Sequence, residues 1–170
     1  MKLQAVFFDR DGTLGVGCDD APQSVVMLDY AAETLRRFKA RGVKVFIFTN
    51  QSCIARKKDN GYDFAAEFAA VGADDWFICP HDTPDNCDCR KPKNGLLKQA
   101  EQKYGLDLTK CAVVGDRWTD IECGQSVGAR TVLVRTGRGA FCEQNNPKNL
   151  CADVIADDVR GAADALLRDC

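Results

Sequence analysis

The apolar residues of this chain occur in short continuous runs, separated by stretches in which apolar positions recur at helical spacing. The runs predict strands over 4–8, 43–48, 76–79, 111–114, 131–134 and, more faintly, 154–156. Runs of Val, Ile and Phe without polar alternation are typical of parallel strands covered on both faces.

Between these runs, residues such as Ala31, Leu35 and Phe38 recur at intervals of three and four before the chain reaches Gly42. This spacing predicts helices over 30–41, 63–71, 95–104, 119–127 and 159–167. The alternation of strands and helices predicts an α/β fold, doubly wound, with a mostly parallel sheet, helices on both faces and no large cap domain. The stretches 15–28 and 135–152 are expected to be the least structured.

Length, composition and net charge limit the classes of protein to which this chain can belong and the partners that it can bind. The chain has 170 residues, 45% of them apolar, which is enough for one domain spanning 1–170. No apolar run could span a bilayer and no signal-type segment precedes Asp9, so we expect a soluble, cytoplasmic, monomeric protein. The net charge of −2, with both signs interspersed, argues against binding to a nucleic-acid backbone or a membrane surface. A small-molecule partner is favoured.

Polar residues follow three of the predicted strands. They are Asp9 and Asp11 after the first, Thr49, Asn50, Gln51 and Ser52 after the second, and Asp116 with Asp120 after the strand at 111–114. Because ligands bind at the carboxyl ends of parallel strands, we expect these residues to converge. Converging carboxylates repel one another unless a cation shares the site, and oxygen ligands suit Mg²⁺. With a hydroxyl and Lys91, they predict a phosphoryl-binding site.

Ten cysteines in a reducing compartment point to metal binding where they cluster. The cluster lies at 79–89 and consists of Cys79, His81, Cys87 and Cys89. Three sulfurs and one nitrogen form a closed tetrahedral set, typical of structural zinc, and would hold the following residues in place. The other cysteines are interpreted as small hydrophobic residues: Cys18, Cys53, Cys111, Cys123, Cys142, Cys151 and Cys170.

Each of these signals has a structural alternative. Asp11 followed by Gly12 is also an ordinary turn signal. Asp116 and Asp120 could complement a helix dipole, and Lys91 could be a solvated loop lysine. The thiols at 79–89 could form a loop without metal. What counts against these alternatives is that the motifs occur together.

Taken in order, the motifs resemble those of the haloacid dehalogenase-like (HAD-like) phosphotransferases. The segment 8–13 resembles their first motif, Thr49 the second, Lys91 the third, and Gly115-Asp116 with Asp120 the fourth. The segments 49–56 and 79–92 are similar to those of one branch, the D,D-heptose 1,7-bisphosphate phosphatases and histidinol-phosphate phosphatases. The resemblance covers about residues 6–137.

The resemblance implies that Asp9 attacks phosphorus and that Asp11 first protonates the leaving oxygen and then activates water. It implies that Mg²⁺ is held by the Asp9 carboxylate, the Asp11 main-chain carbonyl and Asp116. Thr49 and Lys91 would bind the phosphoryl oxygens.

Further residues are expected around this centre. Asp120 would orient its neighbours rather than bind the metal. Substrate contacts are expected from Asn50, Gln51, Ser52, Arg56 and Arg90, with the two arginines binding a second anionic group. The leading function is therefore hydrolysis of a sugar bisphosphate, heptose 1,7-bisphosphate in particular. The alternatives are a histidinol-phosphate phosphatase, a nucleic-acid 3'-phosphatase, a phospho-accepting receiver domain and a zinc-binding interaction module.

Overall fold

The computed structural model describes residues 2–17, 21–146 and 148–168. Cys18 and Cys170 lie outside these ranges. The helices and strands are, in chain order, β1 (Ala5–Phe8), β2 (Gly15–Val16), β3 (Val26–Met27), α1 (Ala31–Lys39), β4 (Lys44–Asn50), α2 (Ser52–Ala55), α3 (Phe64–Val71), β5 (Asp75–Cys79), α4 (Gly95–Tyr104), β6 (Cys111–Gly115), α5 (Trp118–Gln125), β7 (Arg130–Val134), α6 (Gly139–Gln144), β8 (Val154–Ala156) and α7 (Val159–Leu167).

Six strands form one parallel sheet in the order β5-β4-β1-β6-β7-β8. The chain extends the sheet outward from β1 in one direction and then crosses back to extend it in the other. This order confirms the predicted doubly wound α/β fold. Its switch point lies beside β1, where a crevice opens at the carboxyl ends of the strands.

The two faces of the sheet are covered by different helices. Side chains of β1 alternate between the faces, so Phe8 packs with one hydrophobic cluster and Phe7 with the other. Helices α1, α3 and α7 contribute to the Phe8 side, and α4 and α5 to the Phe7 side. Coverage of both faces explains why the strands are continuously apolar.

The predicted strands and helices are confirmed with shifts of a few residues at their ends. Strand β4 runs two residues beyond its predicted end, so Thr49 and Asn50 still belong to the strand. Helix α2 was not predicted. The stretches expected to be least structured carry a small antiparallel hairpin, β2 with β3, and helix α6. Among the described residues, every helix is too short or too polar to cross a bilayer.

Candidate active site

Three buried carboxylates meet where β1 and β6 end. Asp9 follows β1, Asp116 follows β6 and Asp120 lies in the first turn of α5, and one oxygen from each lies within 4.8 Å of the others. Asp116 accepts a hydrogen bond from the Arg138 backbone N–H through Oδ2 at 2.7 Å, whereas its buried Oδ1 has no hydrogen-bond partner. An unpartnered buried carboxylate oxygen is costly, and a cation would satisfy it.

Two glycines allow this close approach. Gly12 has a φ of +87°, and a Cβ there would lie 2.1 Å from Asp116 Oδ2. A Cβ on Gly115 would lie 2.4 Å from the Asp120 side chain. The Asp-Gly and Gly-Asp pairs of the sequence therefore bring the backbone against the carboxylates, which a larger residue would prevent.

Lys91 lies between two of the carboxylates. Its Nζ is 2.8 Å from Asp9 Oδ1 and 2.6 Å from Asp120 Oδ1, and it donates to the Phe48 carbonyl at 3.1 Å. Burial alone would lower the pKa of Lys91, but Asp120 and Asp9 raise it above its ordinary value. The ammonium therefore stays charged and offsets the negative charge of the carboxylates.

The carboxylates remain crowded despite this lysine. Burial, together with the charges of Asp9 and Asp120, raises the pKa of Asp116 to about 8. Burial also raises the pKa of Asp120 to about 6, against the lowering effect of Lys91. Because Asp120 is paired with Lys91, Asp9 and Asp116 are the two carboxylates better suited to a metal ion.

Asp11 lies beside this cluster and is held by its neighbours. Arg10 Nη1 donates to Asp11 Oδ1 at 2.7 Å, and Gln51 Nε2 donates to Asp11 Oδ2 at 2.5 Å. Gln51 also donates to the hydroxyl of Thr49 at 2.9 Å. Thr49 and Gln51 are both buried, and Gln51 links the Thr49 hydroxyl to the Asp11 carboxylate.

A cavity of about 430 Å³ opens over these groups. It is lined by Asp9, Asp11, Asn50, Ser52, Arg56, Thr83, Arg90, Lys91, Arg117, Thr119 and Asp120. Most of the predicted site residues thus share one cavity, although Thr49, Gln51 and Asp116 are not among those lining it. Asn50 holds the lysine's backbone, because it accepts from the Lys91 N–H and donates to the Lys91 carbonyl.

The two predicted arginines differ in their contacts. Arg56 forms a two-pronged ion pair with Asp82, Nε to Oδ2 at 2.7 Å and Nη2 to Oδ1 at 2.8 Å, and it lowers the pKa of Asp82. Arg90 uses Nη1 alone, donating to Ser52 Oγ at 2.8 Å and to the His81 carbonyl at 3.1 Å. Arg56 is therefore paired directly with an acidic side chain, whereas the hydrogen bonds described for Arg90 go to neutral oxygens and its charge acts on Asp82 only from a distance, lowering the Asp82 pKa.

The four residues of the cysteine cluster converge as predicted. The Sγ atoms of the three cysteines and Nδ1 of His81 contact one another at 3.2 to 3.8 Å. None of the three cysteines forms a disulfide. Ligands of a tetrahedral zinc ion lie about 3.6–3.8 Å apart, given zinc–sulfur and zinc–nitrogen bond lengths. The cluster lies directly before Arg90 and Lys91 in the chain.

Four site residues were missed by the sequence reasoning. Thr83, Arg117 and Thr119 line the cavity, and Arg10 supports Asp11 from within the protein. The position of Arg117, next to Asp116, was an available signal. Arg10 gave a weaker signal, since a charged residue between two aspartates is equally consistent with an exposed loop.

Comparisons with known proteins agree with this site. A HAD-hydrolase-like family model matches residues 88–164. A D-glycero-beta-D-manno-heptose-1,7-bisphosphate 7-phosphatase of Pseudomonas aeruginosa is 34% identical over 184 residues, covering 99% of this chain and 100% of the relative. The protein of that name from Haemophilus influenzae is 33% identical, covering 91% of this chain and 94% of the relative.

A solved structure is similar along the whole chain. The D,D-heptose 1,7-bisphosphate phosphatase of B. bronchiseptica, complexed with magnesium and phosphate, superposes with a TM-score of 0.86 at 26% identity, covering 99% of this chain and 100% of that one. The corresponding enzyme of Burkholderia thailandensis gives a TM-score of 0.67 at 27% identity, covering 96% and 98%. The chain therefore belongs to the HAD-like phosphatases, in the family of the heptose bisphosphate phosphatases.

Proposed function

We propose that this phosphatase hydrolyses D-glycero-D-manno-heptose 1,7-bisphosphate at the 7-phosphate, using Asp9 as nucleophile. The observation that carries the proposal is the buried group of Asp9, Asp116, Asp120 and Lys91 beneath a cavity that arginines line. The names of the relatives supply the identity of the sugar and of the phosphate removed. Histidinol phosphate and a 3'-phosphorylated nucleic acid are the competing substrates.

The reaction takes two displacements. An Asp9 carboxylate oxygen attacks phosphorus, the bond from phosphorus to the sugar oxygen breaks, and that oxygen takes a proton from Asp11. A water oxygen then attacks the phosphorus of the aspartyl-phosphate, its proton returns to Asp11, and the Asp9–phosphorus bond breaks. The products are the dephosphorylated sugar and inorganic phosphate, and both carboxyl groups regain their starting states.

Magnesium fits the carboxylate cluster. We propose that Asp9 and Asp116 supply carboxylate oxygens and that Asp11 supplies its main-chain carbonyl. The unpartnered Oδ1 of Asp116 supports this ligand set. When bound, the ion neutralises charge on the phosphoryl oxygens. Lys91 adds a fixed positive charge beside Asp9, and Asp120 holds that lysine.

The raised pKa of Asp116 makes magnesium binding dependent on pH. In the metal-free folded protein this carboxyl keeps its proton up to about pH 8, so the fold loses stability as pH rises from the ordinary carboxyl range toward 8. Magnesium must displace that proton at low pH but not at high pH. We therefore expect magnesium to raise Tm more at about pH 9 than at about pH 6.

Thermal unfolding with and without magnesium, at both pH values, measures this effect. Asp116→Asn should remove the magnesium-induced shift at both. Asp157→Asn, at an exposed aspartate paired with Arg135, is the matched control and should keep it. An equal shift at the two pH values in the wild type would contradict the assignment of Asp116 as a ligand.

The cysteine cluster is proposed to hold one structural zinc ion. The support is the donor set and its spacing, with four side chains already converged and no disulfide among the three cysteines. Four protein ligands leave no open position for substrate, so this metal has no chemical role. Its proposed effect is to fix Arg90 and Lys91, which follow Cys89 directly.

The second phosphate of the substrate is proposed to bind Arg90. Arg90 lines the cavity and its described hydrogen bonds go to neutral oxygens, whereas Arg56 is held directly by the Asp82 carboxylate. A charge-assisted arginine–phosphate contact contributes on the order of 1.5–3 kcal/mol. Arg90→Ala should therefore lower kcat/KM for the bisphosphate by roughly ten- to a hundredfold. Heptose 7-phosphate, which lacks the second phosphate, should lose little.

The measurement is kcat/KM for heptose 1,7-bisphosphate, heptose 7-phosphate, fructose 1,6-bisphosphate, histidinol phosphate and a 3'-phosphorylated oligonucleotide. Arg37→Ala, at an exposed arginine paired with Asp164 outside the site, is the matched control and should leave every kcat/KM unchanged. Arg56→Ala tests whether Arg56 binds the second phosphate itself or only holds Asp82 in place. A preference of about tenfold or more for histidinol phosphate or the oligonucleotide would overturn the substrate assignment. So would equal losses on all substrates in both Arg90→Ala and Arg56→Ala.

A further inference from the structure

Arg10, the residue between the two catalytic aspartates, is completely buried and is the largest such side chain among the described residues. A buried guanidinium persists only when charges and hydrogen bonds compensate for the lost water. Its partners therefore reveal what the side chain is built to hold. The proposed reaction gives Arg10 no step of its own.

One edge of the guanidinium is fixed to helix α3. Arg10 Nε donates to Glu67 Oε2 at 2.6 Å, and Nη2 donates to Glu67 Oε1 at 2.9 Å. Tyr62 Oη donates to the same Glu67 Oε1 at 2.7 Å. The guanidinium carbon also lies 5.5 Å and 5.3 Å from the ring centroids of Tyr62 and Phe64. Two-pronged pairing and contact with both rings leave the group little freedom to move.

The other edge faces the active site. Arg10 Nη1 donates to Asp11 Oδ1 at 2.7 Å, and Nη2 donates to the Pro22 carbonyl, in the segment between β2 and β3, at 2.8 Å. Gln51 donates to the second oxygen of Asp11. Both oxygens of the Asp11 carboxylate therefore face donors that belong to the buried interior. Asp11 follows the strand end and precedes Gly12, where the backbone itself turns.

We propose that Arg10, held in place by Glu67, is a positioning residue that keeps the Asp11 carboxyl group in the orientation needed for proton transfer to the leaving oxygen. This inference rests on the proposed acid–base role of Asp11. A general acid acts only within hydrogen-bond reach of the oxygen it protonates, so a side chain free to rotate spends less time in reach. Arg10 supplies that restraint without touching the substrate.

The proposal predicts a dependence on the leaving group. A sugar oxygen must be protonated as it departs, whereas p-nitrophenolate departs as a stable anion. Loss of the two-pronged Arg10–Glu67 pair, here called the brace, should therefore lower kcat/KM for the heptose substrate and leave kcat/KM for p-nitrophenyl phosphate nearly unchanged. General damage to the site would lower both values together. The value of kcat/KM depends only on the steps up to and including the first irreversible one, which is formation of the aspartyl-phosphate. Slower hydrolysis of the aspartyl-phosphate therefore does not affect the comparison.

The variants are graded by how much of the brace they remove. Glu67→Gln keeps the size of the side chain and removes its negative charge. Arg10→Lys keeps the positive charge and removes the planar guanidinium that bonds Glu67 and Asp11 at the same time. Arg10→Met removes both the charge and the guanidinium. We expect kcat/KM for the heptose substrate to fall by about tenfold in Glu67→Gln and about a hundredfold in Arg10→Met, with Arg10→Lys between them. For p-nitrophenyl phosphate the loss should stay below about threefold in all three.

Two further variants set the limits of the experiment. Asp11→Asn defines the selectivity that follows complete loss of the proton donor. Arg37→Met removes an exposed arginine–aspartate pair outside the site, with Asp164, and should change neither value. Circular dichroism and thermal unfolding check that each protein is folded. If Arg10→Met does not fold, Glu67→Gln still decides the question.

The possible outcomes separate this inference from the proposed function. A selective loss in Asp11→Asn and in the brace variants supports the positioning role. A selective loss in Asp11→Asn without one in folded Glu67→Gln and Arg10→Lys overturns it. Equal losses on both substrates in Asp11→Asn would instead overturn the acid–base role of Asp11, and the positioning role with it.

Discussion

Asp9→Asn is expected to abolish phosphatase turnover, lowering kcat by more than about 1,000-fold, while leaving the fold intact. The amide has the shape of the carboxylate but cannot attack phosphorus. Its carbonyl oxygen can still accept the hydrogen bond that Lys91 gives to Asp9 Oδ1. The substitution also removes the Asp9 charge from beside the crowded carboxyl groups of Asp116 and Asp120, so the folded state loses little stability.

Phosphate release in the steady state measures the activity, and circular dichroism with thermal unfolding measures the fold. Asp164→Asn, at a half-exposed aspartate on α7 that pairs with Arg37, makes the same chemical change outside the site and should retain full activity. Turnover near that of the wild type in folded Asp9→Asn would contradict the nucleophile assignment. Radiolabelled phosphate should appear on wild-type protein stopped during turnover and be absent from Asp9→Asn.

Much of the fold could be predicted because the strands are buried on both faces. Each central strand is a nearly continuous apolar run, and the residues following β1 and β6 are carboxylates. Parallel topology then brings chain-distant residues such as Asp9 and Asp116 to one edge without further information. Close spacing in the chain similarly made the cysteine cluster visible before its geometry was known.

The remaining features depend on tertiary contacts that leave no local pattern. Helix α2 has four residues, too short for a hydrophobic period, and its position depends on hydrogen bonds such as the one from the Ala55 N–H to the Pro80 carbonyl. Burial of Arg10 depends on Glu67, 57 residues away in the chain. Likewise, the ion pair with Asp82 distinguishes Arg56 from Arg90, and nothing in the sequence marks this difference.

Cys89→Ser is expected to abolish binding of the proposed zinc ion and lower kcat/KM by about a hundredfold or more, while most of the sheet stays folded. Cys89 immediately precedes Arg90 and Lys91, and Lys91 Nζ must lie within hydrogen-bond distance of both Asp9 and Asp120. A shift of about 1 Å in that loop would break these contacts. The central strands β1, β4 and β6 should not depend on the proposed zinc ion, because the hydrophobic clusters on both faces hold them.

Metal analysis should therefore find about one zinc per wild-type chain and almost none in Cys89→Ser. Cys151→Ser, at an exposed cysteine outside the cluster, is the matched control and should keep both zinc and activity. Limited proteolysis should cut Cys89→Ser within 80–90 and spare the control, because the loop loses its restraint while the sheet does not. Full activity in a folded protein without zinc would show that the hydrogen bonds of Asn50 to the Lys91 backbone are enough to position the lysine. The proposed role of the metal would then be wrong, whereas the assignment of Asp9 and Lys91 would stand.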